Sequence, residues 1–174
     1  SVRSYREEPV PEEVVKRLVA AGQRAPFASQ TTSIILTRQR QHIPWGAPAF
    51  LIFCLDYHRL ERIMSRQGWQ MKSHPLWQFL LGSADTVLCA ACVDLAARAE
   101  GLGTCFIGGI PEEAETLCSL HKLPPKVFPI LGMCLGYPKE SPPPRPYFAG
   151  FARSRVFRLG IFFAEATGPP GNYS

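Results

Sequence analysis

Glycines at 101, 103, 108 and 109 bracket one short run, Thr104-Cys105-Phe106-Ile107. Residues without a Cβ let backbone N–H groups come close to a flat or anionic ligand. A helix stop followed by a tight turn would use the same glycines, and the spacing alone leaves both readings open. It is not the dinucleotide fingerprint, because no Gly-x-Gly-x-x-Gly lies between a strand and a helix. Arg3 and Arg6 stand beside Ser1 and Ser4. Guanidinium donors fork onto phosphate oxygens and hydroxyls add further bonds, so this group could hold a phosphate. A solvated terminus would carry the same residues.

Other chemistry has less behind it. Cys89-Ala-Ala-Cys92 has a metal-ligand spacing but lies mid-helix without a second pair, which argues against structural zinc. His42, His58, His74 and His121 share no motif, so a Cys/His nucleophile has no support. Neither a Gly-x-Ser-x-Gly elbow nor a Walker loop occurs. Trp45, Trp69, Trp77 and Phe79 could stack on a flat substrate, although core or interface is the commoner place for them.

Composition bounds the answer. The 174 residues suit one domain, and a hydrophobic share of 46% is enough for a full core. A net charge of +5 favours anionic small molecules such as phosphate esters. The Lys and Arg residues are scattered, which argues against nucleic acid as a partner. The six cysteines fall mostly in apolar runs and read as small core residues in a reducing compartment. Charged residues follow Ser1 closely, and no uncharged apolar stretch reaches the ~18 residues of a membrane span. The expectation is a cytoplasmic chain with no membrane partner.

The elements that must position these residues alternate along the chain. Proline and acidic residues at 9–13 predict a helix start, with Val14, Leu18 and Ala21 at helical spacing, Gly22 weakening it and Pro26 ending it. Residues 33–37 and 49–55 predict strands, the second buried on both faces and ended by Asp56 and Tyr57. Residues 76–99 predict a long helix, apolar almost all round and stopped by Gly101 and Gly103. A short strand at 104–107, a helix from Pro111 to about His121 and a strand at 126–135 follow. Five prolines between 138 and 146 exclude regular structure there. The class is α+β or α/β, one sheet flanked by helices. The all-round apolar helix needs cover that one chain of this size does not supply, which predicts a dimer.

Five segments, taken in order, resemble a known family. Ser1-Val2-Arg3-Ser4-Tyr5-Arg6-Glu7-Glu8-Pro9-Val10-Pro11 is similar to the start of nitroreductases and NAD(P)H:flavin oxidoreductases. Arg24-Ala25-Pro26-Phe27-Ala28-Ser29-Gln30 resembles their first flavin loop. Gln41, followed by Ala47-Pro48 and Phe53-Cys54-Leu55-Asp56, resembles the next. The glycine stretch 101–109, and Leu123-Pro124 through Leu135-Gly136-Tyr137-Pro138, complete the set. Each motif is weak alone, but five in order over about residues 1–146 are specific. The chain resembles the FMN-dependent nitroreductase family, and within it the oxygen-insensitive, NADPH-preferring branch.

The resemblance implies an α+β nitroreductase-like fold with a central, mixed but mostly antiparallel sheet. It also implies a homodimer with FMN sites at the interface, each held by both subunits. By position, Ser1 and Arg3 would hold the FMN phosphate or the pyrimidine edge of the ring. Pro26, Phe27, Ala28 and Ser29 would lie near the flavin from one subunit, and Gln41 would hydrogen-bond the ring. Ile107, Gly108 and Gly109 would complete the wall, with the Gly108 and Gly109 backbone facing flavin N5. Arg145 stands where a phosphate-binding cation is expected. The implied reaction is ping-pong hydride transfer from NAD(P)H through N5 to small-molecule acceptors: nitroaromatics, quinones or free flavin. A cation near N1 would ease reduction, and no protein acid, base or metal is required.

The chain departs from the family in several places. The usual amino-terminal helix, and an Arg before Ser1, are not in the sequence. The 37–41 segment is short where the family has a helix. Tyr147 stands where a second Arg is expected. Residues 146–174 read as a divergent tail of a single domain 1–174, able to wrap a partner subunit. These departures motivate a second reading, a flavin-binding protein with little turnover. The dehalogenase and flavin-fragmenting branches are a third reading, although no motif for either occurs.

Overall fold

Eight residues, Ala49–Asp56, form the spine of the sheet (β2) and all are buried. The run looks uniformly apolar because its two faces are both covered. Alternate residues Ala49, Leu51 and Phe53 join one core cluster, and Phe50, Ile52 and Cys54 join another on the opposite face. The structure is a computed structural model that describes residues 1–38 and 43–140. All of these fall in one unit, Ser1–Pro142. Gln41, Arg145 and the tail 146–174 lie outside the described residues.

The strand Thr32–Thr37 (β1) pairs with one side of β2, and Val127–Gly136 (β4) pairs with the other. Gly103–Ile107 (β3) pairs with the far side of β4. The order is β1-β2-β4-β3, and each of these pairings is antiparallel. Pro129 sits in β4, a central strand, where proline would normally forfeit a ladder bond. Two features accommodate it. The β2–β4 register shifts between Phe53 and Cys54, opposite Leu131 and Pro129. β3 pairs only as far as Gly132, so Pro129 has no strand on its other side.

Two helices pack on one face of the sheet. Glu12–Gly22 (α1) presents Val15 and Leu18 to the core, and Pro75–Ala99 (α3) crosses it. Gly22 marks the crossing: a Cβ there would stand 2.7 Å from Val93 Cγ2 and 3.0 Å from Cys89 Sγ. Its absence of side chain therefore serves helix packing as well as the helix end. α3 buries a single stripe, Gly82, Asp85, Thr86, Cys89, Ala90, Val93 and Ala97, at helical spacing. Leu76, Trp77, Leu80, Val87, Leu88 and Leu95 are exposed on it. By length and composition alone α3 could cross a bilayer, with a mean hydropathy of 1.6 over its apolar window. Here its buried stripe is part of the core.

Several sequence expectations need correction. Asp56 and Tyr57 do more than end β2: Asp56 caps a helix, Tyr57–Arg66 (α2), by accepting the Arg59 N–H at 2.9 Å. The helix expected from Pro111 begins as a 3₁₀ turn, Ile110–Glu113, before Ala114–Leu120 (α4). Gly103 belongs to β3 and does not stop α3. Trp45, Trp69, Trp77 and Phe79 are not core residues; all four are exposed in the single chain.

Candidate functional site

The expected site residues fall into two groups at opposite edges of the sheet. Residues 1–3 and 107–109 attach to β3. Residues 26–29 lead into β1. Three inter-strand spacings separate these edges, roughly 14 Å.

At the β3 edge, the amino-terminal segment lies along the strand. The Val2 N–H donates to the Thr104 carbonyl at 2.9 Å, and the Tyr5 hydroxyl donates to the Val2 carbonyl at 2.6 Å. Tyr5 also bridges to Pro138, and the Lys139 N–H donates to Ser4 at 3.0 Å. Burial pushes the Tyr5 phenol up, so it stays a neutral donor. Gly103 makes room for this segment, because a Cβ there would come within 2.7 Å of Val2 Cγ2. Ser1 and Arg3 are thereby held in place yet exposed, with the Arg3 guanidinium 5.2 Å from the Trp45 ring centroid.

The four glycines separate by role. Gly101 has φ +75° just beyond α3, and the Leu102 N–H closes onto the Ala97 carbonyl at 2.9 Å, so it is the helix stop. Gly103 permits a close approach. Gly108 and Gly109 meet neither demand. Their φ values are not positive, and a Cβ at either would touch nothing within 4 Å. They present exposed, uncrowded backbone at the end of β3.

At the β1 edge, residues 26–29 are held from beneath. Asp85 of α3, only 4% exposed, accepts the Ala28 N–H at 2.7 Å and the Ser29 N–H at 2.9 Å. Gln30 has φ +51°, and its carbonyl accepts from Arg59 of α2. The Thr31 carbonyl accepts the Asp56 N–H at 2.7 Å, and Asp56 also accepts from Ser33. Pro26, Phe27 and Ala28 are left facing outward. Beside them opens a cleft of about 730 Å³ between α1, α3 and β1, lined by Phe27, Gln30, Ile34, Arg59, Asp85 and Cys89 among others.

The cleft holds no activated nucleophile. Burial, with Cys92 adding, pushes the Cys89 thiol up to about 11, which leaves it protonated near neutrality. Cys54 and Cys134 are pushed up to about 12, again mainly by burial. Among the described residues the six cysteines are free, and no group of three or more His, Cys, Asp or Glu side chains converges.

Sequence reasoning singled out the 26–29 loop but missed the side chains that hold it. Asp85 was visible as a lone acid in an apolar stretch of helix, a pattern that calls for a specific partner. Arg59 had no such signal, because the helix carrying it was not anticipated.

The profile of the Nitroreductase family matches residues 1–43 and 34–137. The two matches overlap at residues 34–43. An FMN reductase [NAD(P)H] of Bacillus subtilis is 30% identical over 162 residues, covering 84% of this chain and 65% of the relative. An oxygen-insensitive NADPH nitroreductase of Salmonella typhimurium is 32% identical over 161 residues, covering 84% and 65%. The structure of Bacillus megaterium NfrA2 superposes with a TM-score of 0.81 at 26% identity, covering 91% of this chain and 72% of that one. The chain thus spans 65% of the length of either curated relative. With the α+β sheet and these matches together, the chain belongs to the nitroreductase family.

Proposed function

We propose that this chain is an FMN-dependent NAD(P)H oxidoreductase that works as a homodimer. The observation that carries the proposal is the exposed, uncrowded backbone at Gly108 and Gly109, set beside the anchored Ser1 and Arg3 on the same sheet edge. An FMN-sized ligand needs a flat wall and a cation for its phosphate, and this edge offers both. The relatives' names, an FMN reductase and an NADPH nitroreductase, support the same cofactors.

Bound FMN would supply hydride chemistry at N5, taking hydride from NAD(P)H and passing it to a nitroaromatic, a quinone or free flavin in a separate half-reaction. The chain's part is to hold and orient. Arg3 would bind phosphate, and Ile107, Gly108 and Gly109 would form the wall at the N5 edge. Pro26, Phe27, Ala28 and Ser29 would meet the ring from the partner subunit, because within one chain they stand at the other edge of the sheet. Gln41 and Arg145 would add a ring hydrogen bond and a second phosphate contact. The exposed apolar side of α3, with Leu80, Val87, Leu88 and Leu95, is the surface that pairing would cover.

The test is a visible spectrum of the purified chain. Flavin absorbance that bleaches on adding NADPH, and returns with menadione or nitrofurazone, is expected. A colourless protein that takes up no added FMN refutes the proposal. A yellow protein that never bleaches leaves binding without turnover. Light scattering at micromolar concentration should report a dimer.

A further inference from the structure

A carboxylate buried to 4% exposure is costly unless strong partners replace its water. Asp85 has no cation within ion-pair distance among the described residues. Its partners are two consecutive backbone amides, Ala28 and Ser29, with the Thr31 hydroxyl at 3.5 Å. Two adjacent N–H groups bound to the two oxygens of one carboxylate fix two successive peptide planes. The loop then has little freedom to turn over. Its side chains gain nothing from this in the single chain: Pro26 and Ala28 are exposed, and Phe27 is 50% exposed. The amides of an ordinary surface connection are met by water. Here the backbone is held inside and the apolar face is turned out.

We propose that Asp85 is a positioning residue that holds residues 26–29 in the shape in which they meet the flavin. This rests on the FMN reading above. Thr86 supplies the contrast. It is a buried polar neighbour on the same helix, donating to the Gly82 carbonyl at 2.8 Å, and is not bonded to residues 26–29.

The experiment uses the full chain as wild type, Asp85→Asn and Thr86→Ala. Asparagine keeps the shape of the side chain but replaces one acceptor oxygen with an amide that cannot accept an N–H. Three readouts are taken: chymotrypsin cleavage after Phe27 without flavin, FMN affinity by titration, and visible circular dichroism of the flavin at saturation. Expected for Asp85→Asn are faster cleavage, FMN binding weakened roughly tenfold or more, and an altered flavin spectrum. Thr86→Ala should lower the melting temperature yet leave affinity and spectrum as in wild type. The proposal is overturned if Asp85→Asn leaves cleavage unchanged, if cleavage rises without loss of affinity, or if Thr86→Ala weakens FMN as much. A wild-type chain that takes up no FMN sinks the flavin reading, and the cleavage readout still shows whether Asp85 holds the loop.

Discussion

The two edges of the sheet that carry the proposed flavin contacts are built in opposite ways. At the β1 edge, three elements grip the backbone of residues 26–31: the side chains of Asp85 in α3 and Arg59 in α2, and the backbone N–H of Asp56 at the end of β2. At the β3 edge, a Cβ at Gly108 or Gly109 would crowd nothing, and the Gly109 carbonyl accepts only a local bond, from the Glu112 N–H at 3.1 Å. One surface is shaped by tertiary bonds and displays side chains. The other is shaped by the strand it ends and displays backbone. The first should be sensitive to changes far from it in sequence, and the second only to changes within it.

The largest expected effect breaks the gripped side. Gly82 lies beneath the loop, and a Cβ there would stand 2.0 Å from Leu55 Cδ1 and 3.0 Å from Thr31 Oγ1. Gly82→Val should cost about 3 kcal/mol in urea unfolding. A cost near zero would mean that the packing under the loop is loose.

Next comes the cation at the open side. Arg3→Ala should weaken FMN roughly tenfold while barely changing the affinity for riboflavin, which lacks the phosphate. Equal losses on both ligands would move Arg3 to the ring. Gly108→Ala tests the wall itself. With no neighbour within 4 Å of its new Cβ, it should shift stability by less than about 0.5 kcal/mol. FMN affinity should nevertheless drop severalfold, because the methyl group occupies ligand space. Stability lost without loss of affinity would return Gly108 to a structural turn.

The smallest effect lies outside both edges. Arg17 and Glu100 join α1 to the end of α3 through bonds of 2.7 and 2.9 Å. The hydrogen bonds from Arg17 hold the Glu100 carboxyl below its usual value. Its contribution is therefore present above the ordinary glutamate pKa and fades as pH falls through the lowered one. Both groups meet solvent, so Glu100→Gln should lower the melting temperature only slightly at neutral pH, less in high salt, and not at all in strong acid.

Much of this organisation was legible in the residues. Alternation and apolar runs placed β1, β2, β4 and α3 within a residue or two, because burial on one or two faces leaves a periodic imprint. The ordered motifs pointed to the family before any coordinate. α2 was missed although Tyr57, Leu60 and Met64 stand at helical spacing behind the Asp56 cap: its charged residues make the segment polar on average, and only Tyr57 is buried. The four aromatics are exposed in the single chain, which removes the core from the core-or-interface expectation and leaves the interface.

By itself the sequence offered glycines and Arg3, suited by residue type to a flat or anionic ligand, and its resemblance to the family added the flavin and the 26–29 loop. Residue types and the order of the motifs carry that information. Only the tertiary structure decided that these residues stand at opposite edges of one sheet, and that Asp85, some 56 residues from the loop, sets its shape. Strand order and long-range hydrogen bonds join positions far apart in the chain, and no local pattern records such a pairing.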